Sequence, residues 1–268
     1  MRRLLGVLLI CALTPVAAGC GAEDSVKNAV DPVAQAATKT ASAGSVQIAM
    51  TGKLSAAGLE IPVNAEGVFD LKGMRGRLDV TTTVPGRGQV RIKELIDGLV
   101  VYMSGDGLGT ALPGGKHWLK LDVEKLSGKA GFDLASLRQL GGGSDPTQFL
   151  SYLKKAGDVK KVGTEDIDGT PTTHYRATID LDKVAKSAGG AASSVRQLEQ
   201  VTGGKTIPTE IWIDDQGRAR RQTIDYATKS PVPARIQFTI DYKRFGVPVD
   251  VQVPDKNDTV DLADVTGG

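Results

Sequence analysis

The chain has 268 residues, with 33 Lys and Arg against 31 Asp and Glu, and its residues are 40% hydrophobic but only 4% aromatic. The two surplus cations are Arg2 and Arg3, so the rest of the chain is electrically balanced and lacks the basic surplus of a nucleic-acid binder. Of its two cysteines, Cys11 lies in an apolar leader, so the remainder of the chain carries Cys20 alone, can form no internal disulfide, and must stand on an aliphatic core.

The leader comes first. Arg2 and Arg3 form a short positive region, Leu4 to Leu13 an apolar one, and Thr14-Pro15 a break before small residues. That is the layout of an export signal. Its apolar stretch is about half the length of a membrane-spanning helix. The run Ala17-Ala18-Gly19-Cys20 resembles a lipobox, with Ala17 where Leu is usual. A lipobox implies that the Cys20 thiol is acylated and the chain is cut before it. The expected organisation is a signal peptide over 1–19, a lipidated Cys and flexible tether over 20–30, and a single domain over 31–268. The protein would be exported and held by Cys20 at the outer face of the cell membrane, on a tether reaching at most about 35 Å.

Asp31-Pro32 reads as an N-cap followed by proline at the first helical position, opening a short helix to about Ser42 that Gly44 stops. From Ser45 the period changes to two. Strands are expected around Ser45 to Met50, Val63 to Leu71, Arg75 to Val84, Val90 to Ile96, Leu99 to Met103 and Lys116 to Val123, joined by Gly-, Asp- and Pro-containing turns. This rhythm predicts an antiparallel meander. Phe132 to Leu140 and Ser144 to Ala156 have helical spacing. Strands return at Asp158 to Glu165 and Thr172 to Leu181, with a hairpin turn at Asp168-Gly169. A helix over Asp182 to Val201 comes next, weakened by Gly189-Gly190. Further strands are expected at Ile207 to Asp214, Arg218 to Ala227, Ala234 to Tyr242 and Val249 to Pro254, before an exposed acidic tail. The fold class is α+β, one domain built on an antiparallel sheet.

The chain offers little for catalysis or for a cofactor. His117 and His174 are the only histidines, far apart and without the spacing of a zinc site. No Gly-x-Ser-x-Gly elbow is present. Gly114-Gly115-Lys116 lacks the first glycine of a phosphate-binding loop, at Thr110, and has His117 where Ser or Thr would meet magnesium. Asp166 and Asp168 before Gly169 read as a hairpin rather than a calcium loop. The expectation is a protein that is not an enzyme and needs no cofactor or metal. Arg218, Arg220 and Arg221 form the one local basic cluster, read as a solvated strand face, with contact to an anionic lipid headgroup as the functional alternative.

Alternation places apolar residues together on one sheet face: Val46, Ile48 and Met50; Leu78 and Val80; Ile211 and Ile213; Ile236, Phe238 and Ile240; Val249, Val251 and Val253. Such a face must be sealed by helices into a solid core, or curl around a cavity that a ligand fills. The residues alone favour the solid core.

A resemblance weighs on the other side. Val162 to Tyr175, with its Asp168-Gly169 turn, resembles a strand–turn–strand of the LppX/LprAFG family of actinobacterial lipoproteins. So do Glu210 to Arg218 with Arg220-Arg221, Phe238 to Val249, and Trp118 to Leu121. The resemblance implies a fold like the LolA/LolB carriers: a strongly curved antiparallel sheet, an incomplete barrel, with helices covering its concave face. It implies a hydrophobic cavity holding the acyl chains of a lipid or glycolipid, which the protein carries across the envelope. The candidate wall is Val46, Ile48, Met50, Leu78, Val80, Ile211, Ile213, Ile236, Phe238, Ile240, Val249 and Val251. The candidate lid is Phe149, Leu150 and Leu153, with hinges at Gly141-Gly142-Gly143 and Gly189-Gly190. The expected partners are the lipid, the membrane through Cys20, and a membrane transporter sharing the pathway. A non-catalytic interaction or sensor module with the same fold and a filled core is the alternative.

Overall fold

The computed structural model describes residues 32–265, apart from 34, 107, 109–111, 123–124, 126–156, 188–191 and 230–232. The chain enters through helix α1, over residues 32–42. Val33, Ala36, Ala37 and Thr40 recur at helical spacing and are its buried stripe. Gly44, at φ +82°, takes the left-handed turn into the first strand.

Six strands then run as a meander: β1 Ser45–Ala56, β2 Leu59–Asp70, β3 Arg75–Val84, β4 Gly88–Asp97, β5 Val100–Gly105 and β6 Trp118–Asp122. Five more come after them: β7 Gly157–Ile167, β8 Thr170–Asp180, β9 Thr206–Asp214, β10 Ala219–Thr228 and β11 Ala234–Phe245. The two meanders join because β11 pairs antiparallel with β1 over almost its whole length. The result is a 12-stranded open sheet in the order β12-β6-β5-β4-β3-β2-β1-β11-β10-β9-β8-β7, where β12 is Thr259–Asp261. β12 runs parallel to β6; the other pairings are antiparallel. The Asp168-Gly169 hairpin forms as expected, with both residues at positive φ, the signature of a tight two-residue turn.

Three expectations need correction. The helix over Asp182 to Val201 is two helices, α2 Leu181–Ser187 and α3 Ala192–Thr202, and Gly189-Gly190 lie outside the described residues. The strand expected at Val249 to Pro254 does not form. Its carbonyls are taken by side chains instead: Arg75 Nη2 donates to Val251 O at 2.9 Å and Arg77 Nη1 to Asp250 O at 3.2 Å. Finally, the tail is not a free acidic end. A 3-10 turn at Lys256–Asp258 leads into β12 and helix α4, Leu262–Val265, and Val260 and Ala263 are buried. Pairing supplies the physical reason, because β12 covers the backbone edge that β6 would otherwise present to water.

One apolar cluster joins α1, α2, α3 and one face of the sheet, the inner face. Val33, Val46, Phe69, Ile211 and Tyr242 are each at most 1% exposed within it.

Candidate functional site

Strand alternation with the observed registers assigns the inner face residue by residue. Across the central strands Ala65, Met50, Ile240, Gln222, Ile211 and Tyr175 lie opposite one another in turn, strand after strand. Leu78 faces Gly67 on one side and Glu94 on the other, and Glu94 faces Met103. The opposite, outer face carries the charges.

Burial along the inner face is graded. Nearest the α1 end it is sealed: Val46 and Ile48 on β1, Phe69 and Ala65 on β2, Tyr242 and Ile240 on β11, and Ala219 and Gln222 on β10. Further along the same strands, towards the hairpin tips at 56–59 and 84–88, the inner residues are half-buried. These are Met50 and Leu54, Val63 and Ile61, Phe238 and Ile236, Ile224 and Tyr226. β4 repeats the pattern, from buried Ile96 to half-buried Glu94, Ile92 and Val90. Phe238 lies directly over Gly52, where an added Cβ would run into its ring. Only glycine leaves room for the ring there.

Of the wall residues expected from the sequence, ten share this face. Val46, Ile48, Leu78, Val80, Ile211, Ile213 and Ile240 are in the buried cluster, and Met50 packs against it. Ile236 and Phe238 fall in its half-exposed part. Val249 and Val251 do not belong: their segment is held by the outward-pointing Arg75 and Arg77. Cys20, Phe149, Leu150, Leu153 and Gly141-Gly142-Gly143 lie outside the described residues. Sequence reasoning missed Glu94. Its signal was available in Val90, Ile92, Glu94 and Ile96, where an acid occupies an apolar position of the alternation. It also missed Gln222, which is fully buried, accepts from Tyr242 Oη at 3.2 Å, and has no partner for its Nε2 among the described residues.

The outer face is a lattice of satisfied ion pairs. The carboxylate of Asp214, whose side chain is 1% exposed, accepts from the Arg218 N–H, from Arg218 Nε at 3.1 Å and from Arg220 Nε at 2.8 Å. Both guanidiniums stack over Phe245, at 4.5 and 5.1 Å from its centroid. These arginines are therefore not the solvated face expected from alternation: a bulge between Ala219 and Arg221 turns Arg221 to Asp241 and leaves the other two on Asp214. His174 is buried, stacked on Trp212 at 4.1 Å, and shares Glu165 with the Trp212 indole N–H. His117 bonds Asp258 at 2.6 Å. Among the described residues no group of three His, Cys, Asp or Glu is placed to hold a metal. An open hollow of about 740 Å³ also lies on this face, lined by Lys53, Pro62, Pro208, Asp225 and Gln237 among others. No described helix is long and apolar enough to cross a membrane.

No protein-family model matches the chain. An uncharacterised 31.2 kDa protein from the rplA–rplJ intergenic region of Streptomyces griseus is 30% identical over 210 residues, covering 72% of this chain and 66% of the relative. A putative lipoprotein of Streptomyces coelicolor is 27% identical over 239 residues, covering 84% of this chain and 72% of the relative. Among solved structures, LppX of Mycobacterium tuberculosis is 17% identical with a TM-score of 0.49, over 84% of this chain and 99% of the other. LprF of Mycobacterium bovis is 16% identical with a TM-score of 0.48, over 85% and 97%.

Proposed function

We propose that this chain, consistent with the LppX/LprF family of lipoproteins, is a membrane-anchored protein that binds the acyl chains of a lipid or glycolipid and carries it across the envelope. The observation that carries this reading is the graded inner face. A filled core would bury its apolar residues from one end of the strands to the other. Here Leu54, Ile61, Ile224, Ile236 and Phe238 stay half-buried on strands whose other ends are sealed. Each buried methylene of a bound chain contributes about 0.8 kcal/mol, so two acyl chains of ordinary length supply the binding energy without polar contacts.

In this reading the protein is exported, acylated at Cys20 and held at the outer face of the membrane. The helices α2 and α3, over the concave side of the sheet, act as the lid. The leader, the anchor and the covered sheet form one device that shields a lipid while it moves. The reading includes no catalytic step.

The full chain, purified in detergent and studied by native mass spectrometry, is expected to carry co-purifying lipid or to take up added phospholipid or glycolipid in a fixed ratio. Protein that is consistently empty and takes up neither rejects the proposal. Mass spectrometry of the N-terminal peptide is expected to find acylated Cys20; an unmodified thiol or a cut elsewhere removes the anchor.

A further inference from the structure

Glu94 sits in the middle of β4 with its side chain on the inner face, between Ile92 and Ile96 on its own strand and opposite Leu78 and Met103 on its neighbours. Within β1–β5 and β9–β11 it is the one carboxylate that alternation places on this face. It makes no hydrogen bond or ion pair with any described residue. The nearest cations by register, Arg77, Arg91 and Lys93, are exposed on the opposite side of the sheet. Burial pushes the Glu94 carboxyl up from its ordinary range, with no opposing contribution from a partner.

Glu94 is half-buried, and once a bound lipid shuts water out its carboxylate lies among aliphatic side chains, which is unfavourable unless the lipid itself supplies a donor. By contrast, Asp214, Asp225, Asp241 and Glu165 on the outer face each have two or more donors. Glu94 also lies where the inner face passes from sealed to half-exposed, within reach of a ligand entering from the open end.

Resting on the lipid-binding reading, we infer that Glu94 is a specificity-determining residue that selects lipids presenting a hydrogen-bond donor, a hydroxyl or an ammonium N–H, beside their acyl chains. A site of this kind rejects an analogue that lacks the donor, because the acceptor is then left unpaired in apolar surroundings. Hydrocarbon burial supplies affinity, and Glu94 supplies the choice of headgroup.

Two matched pairs of probes test it on the full chain in detergent, by native mass spectrometry of competitive uptake. Dioleoylglycerol competes with its 3-acetyl ester, and dioleoyl phosphatidylethanolamine with dioleoyl phosphatidylcholine. Each pair differs by loss of the donor, and the pair that shows selection distinguishes a hydroxyl from an ammonium source. The wild type is expected to favour the donor-bearing member of one pair by about tenfold, the scale of one hydrogen bond to a charged group. Glu94→Leu is expected to abolish that preference in a protein that still melts cooperatively. Equal uptake within both pairs, or unchanged selectivity in Glu94→Leu, overturns the inference and leaves lipid binding standing. If the wild type takes up none of the four, the lipid-binding reading itself falls and this inference falls with it.

Discussion

Thr40 and Ala219, 179 positions apart, share a buried hydrogen bond in which the Ala219 N–H donates to Thr40 Oγ1 at 2.9 Å. The bulge between Ala219 and Arg221 breaks the β9–β10 ladder and leaves that N–H without a strand partner. The hydroxyl on the last turns of α1 takes it up, so one bond closes the ladder and pins the helix to the sheet. Thr40→Val keeps the shape and strands the N–H. Chemical unfolding is expected to show a loss of about 1–3 kcal/mol, the cost of one buried unpaired donor. Thr40→Ser should recover most of it, and a Val variant as stable as the wild type would remove this role.

Asp214 gives the fold a dependence on acid. Burial raises its carboxyl pKa, but hydrogen bonds from the Arg218 N–H and from the Arg220 and Arg218 guanidiniums outweigh burial and hold it below the ordinary value. A lowered native pKa stabilises the fold fully above the unfolded value, about 3.9, and that stabilisation is lost as pH falls through the native one. Asp214→Asn should cost about 3 kcal/mol at pH 7, since it leaves two guanidiniums without their shared carboxylate. Urea unfolding from pH 7 down to pH 3 should show the gap between variant and wild type narrowing at the acid end. A gap that stays constant over this range contradicts the assignment.

The graded inner face predicts that one substitution has two different outcomes. Ile211 is 0% exposed at the sealed end, and a charge there has no route to water. Ile211→Glu is therefore expected to unfold the protein. Ile236 is half-buried on the same face. Ile236→Glu should leave a folded protein, by circular dichroism and cooperative melting, whose lipid uptake falls at least tenfold. Equal loss of fold in both variants would mean that the inner face is sealed throughout.

Gly67 marks a close approach of strands. An added Cβ would collide with Arg77 O, a backbone atom that cannot rotate away. Gly67→Ala should force β2 and β3 apart and cost about 1–3 kcal/mol, as overpacking of a well-packed site does. Hydrogen exchange along Val63 to Asp70 checks it, with faster exchange concentrated in that strand.

Much of the fold was legible in the sequence because strand alternation and turn residues act locally. Ser45 to Tyr102 reads as a meander from its period of two, and Asp168-Gly169 as a tight hairpin. Val46, Ile211 and Ile240 are recognisable as one apolar set because each strand must turn its aliphatic side inward. The lipobox-like run at Cys20 is likewise local chemistry, readable without a fold. Position in three dimensions was not. Val249 and Val251 alternate like a strand, yet a strand needs a partner ladder, and Arg75 and Arg77 claim their carbonyls instead. Arg218 and Arg220 read as solvated until a bulge and a buried Asp214 bring them under one carboxylate. The pairing of β11 with β1, which joins the two meanders, spans nearly two hundred residues and leaves no local trace. Glu94 stands at the boundary between local pattern and tertiary placement. Its place in an apolar alternation is written in the sequence. That no cation from any neighbouring strand reaches it is decided only by the register, which turns Arg77, Arg91 and Lys93 to the other side of the sheet.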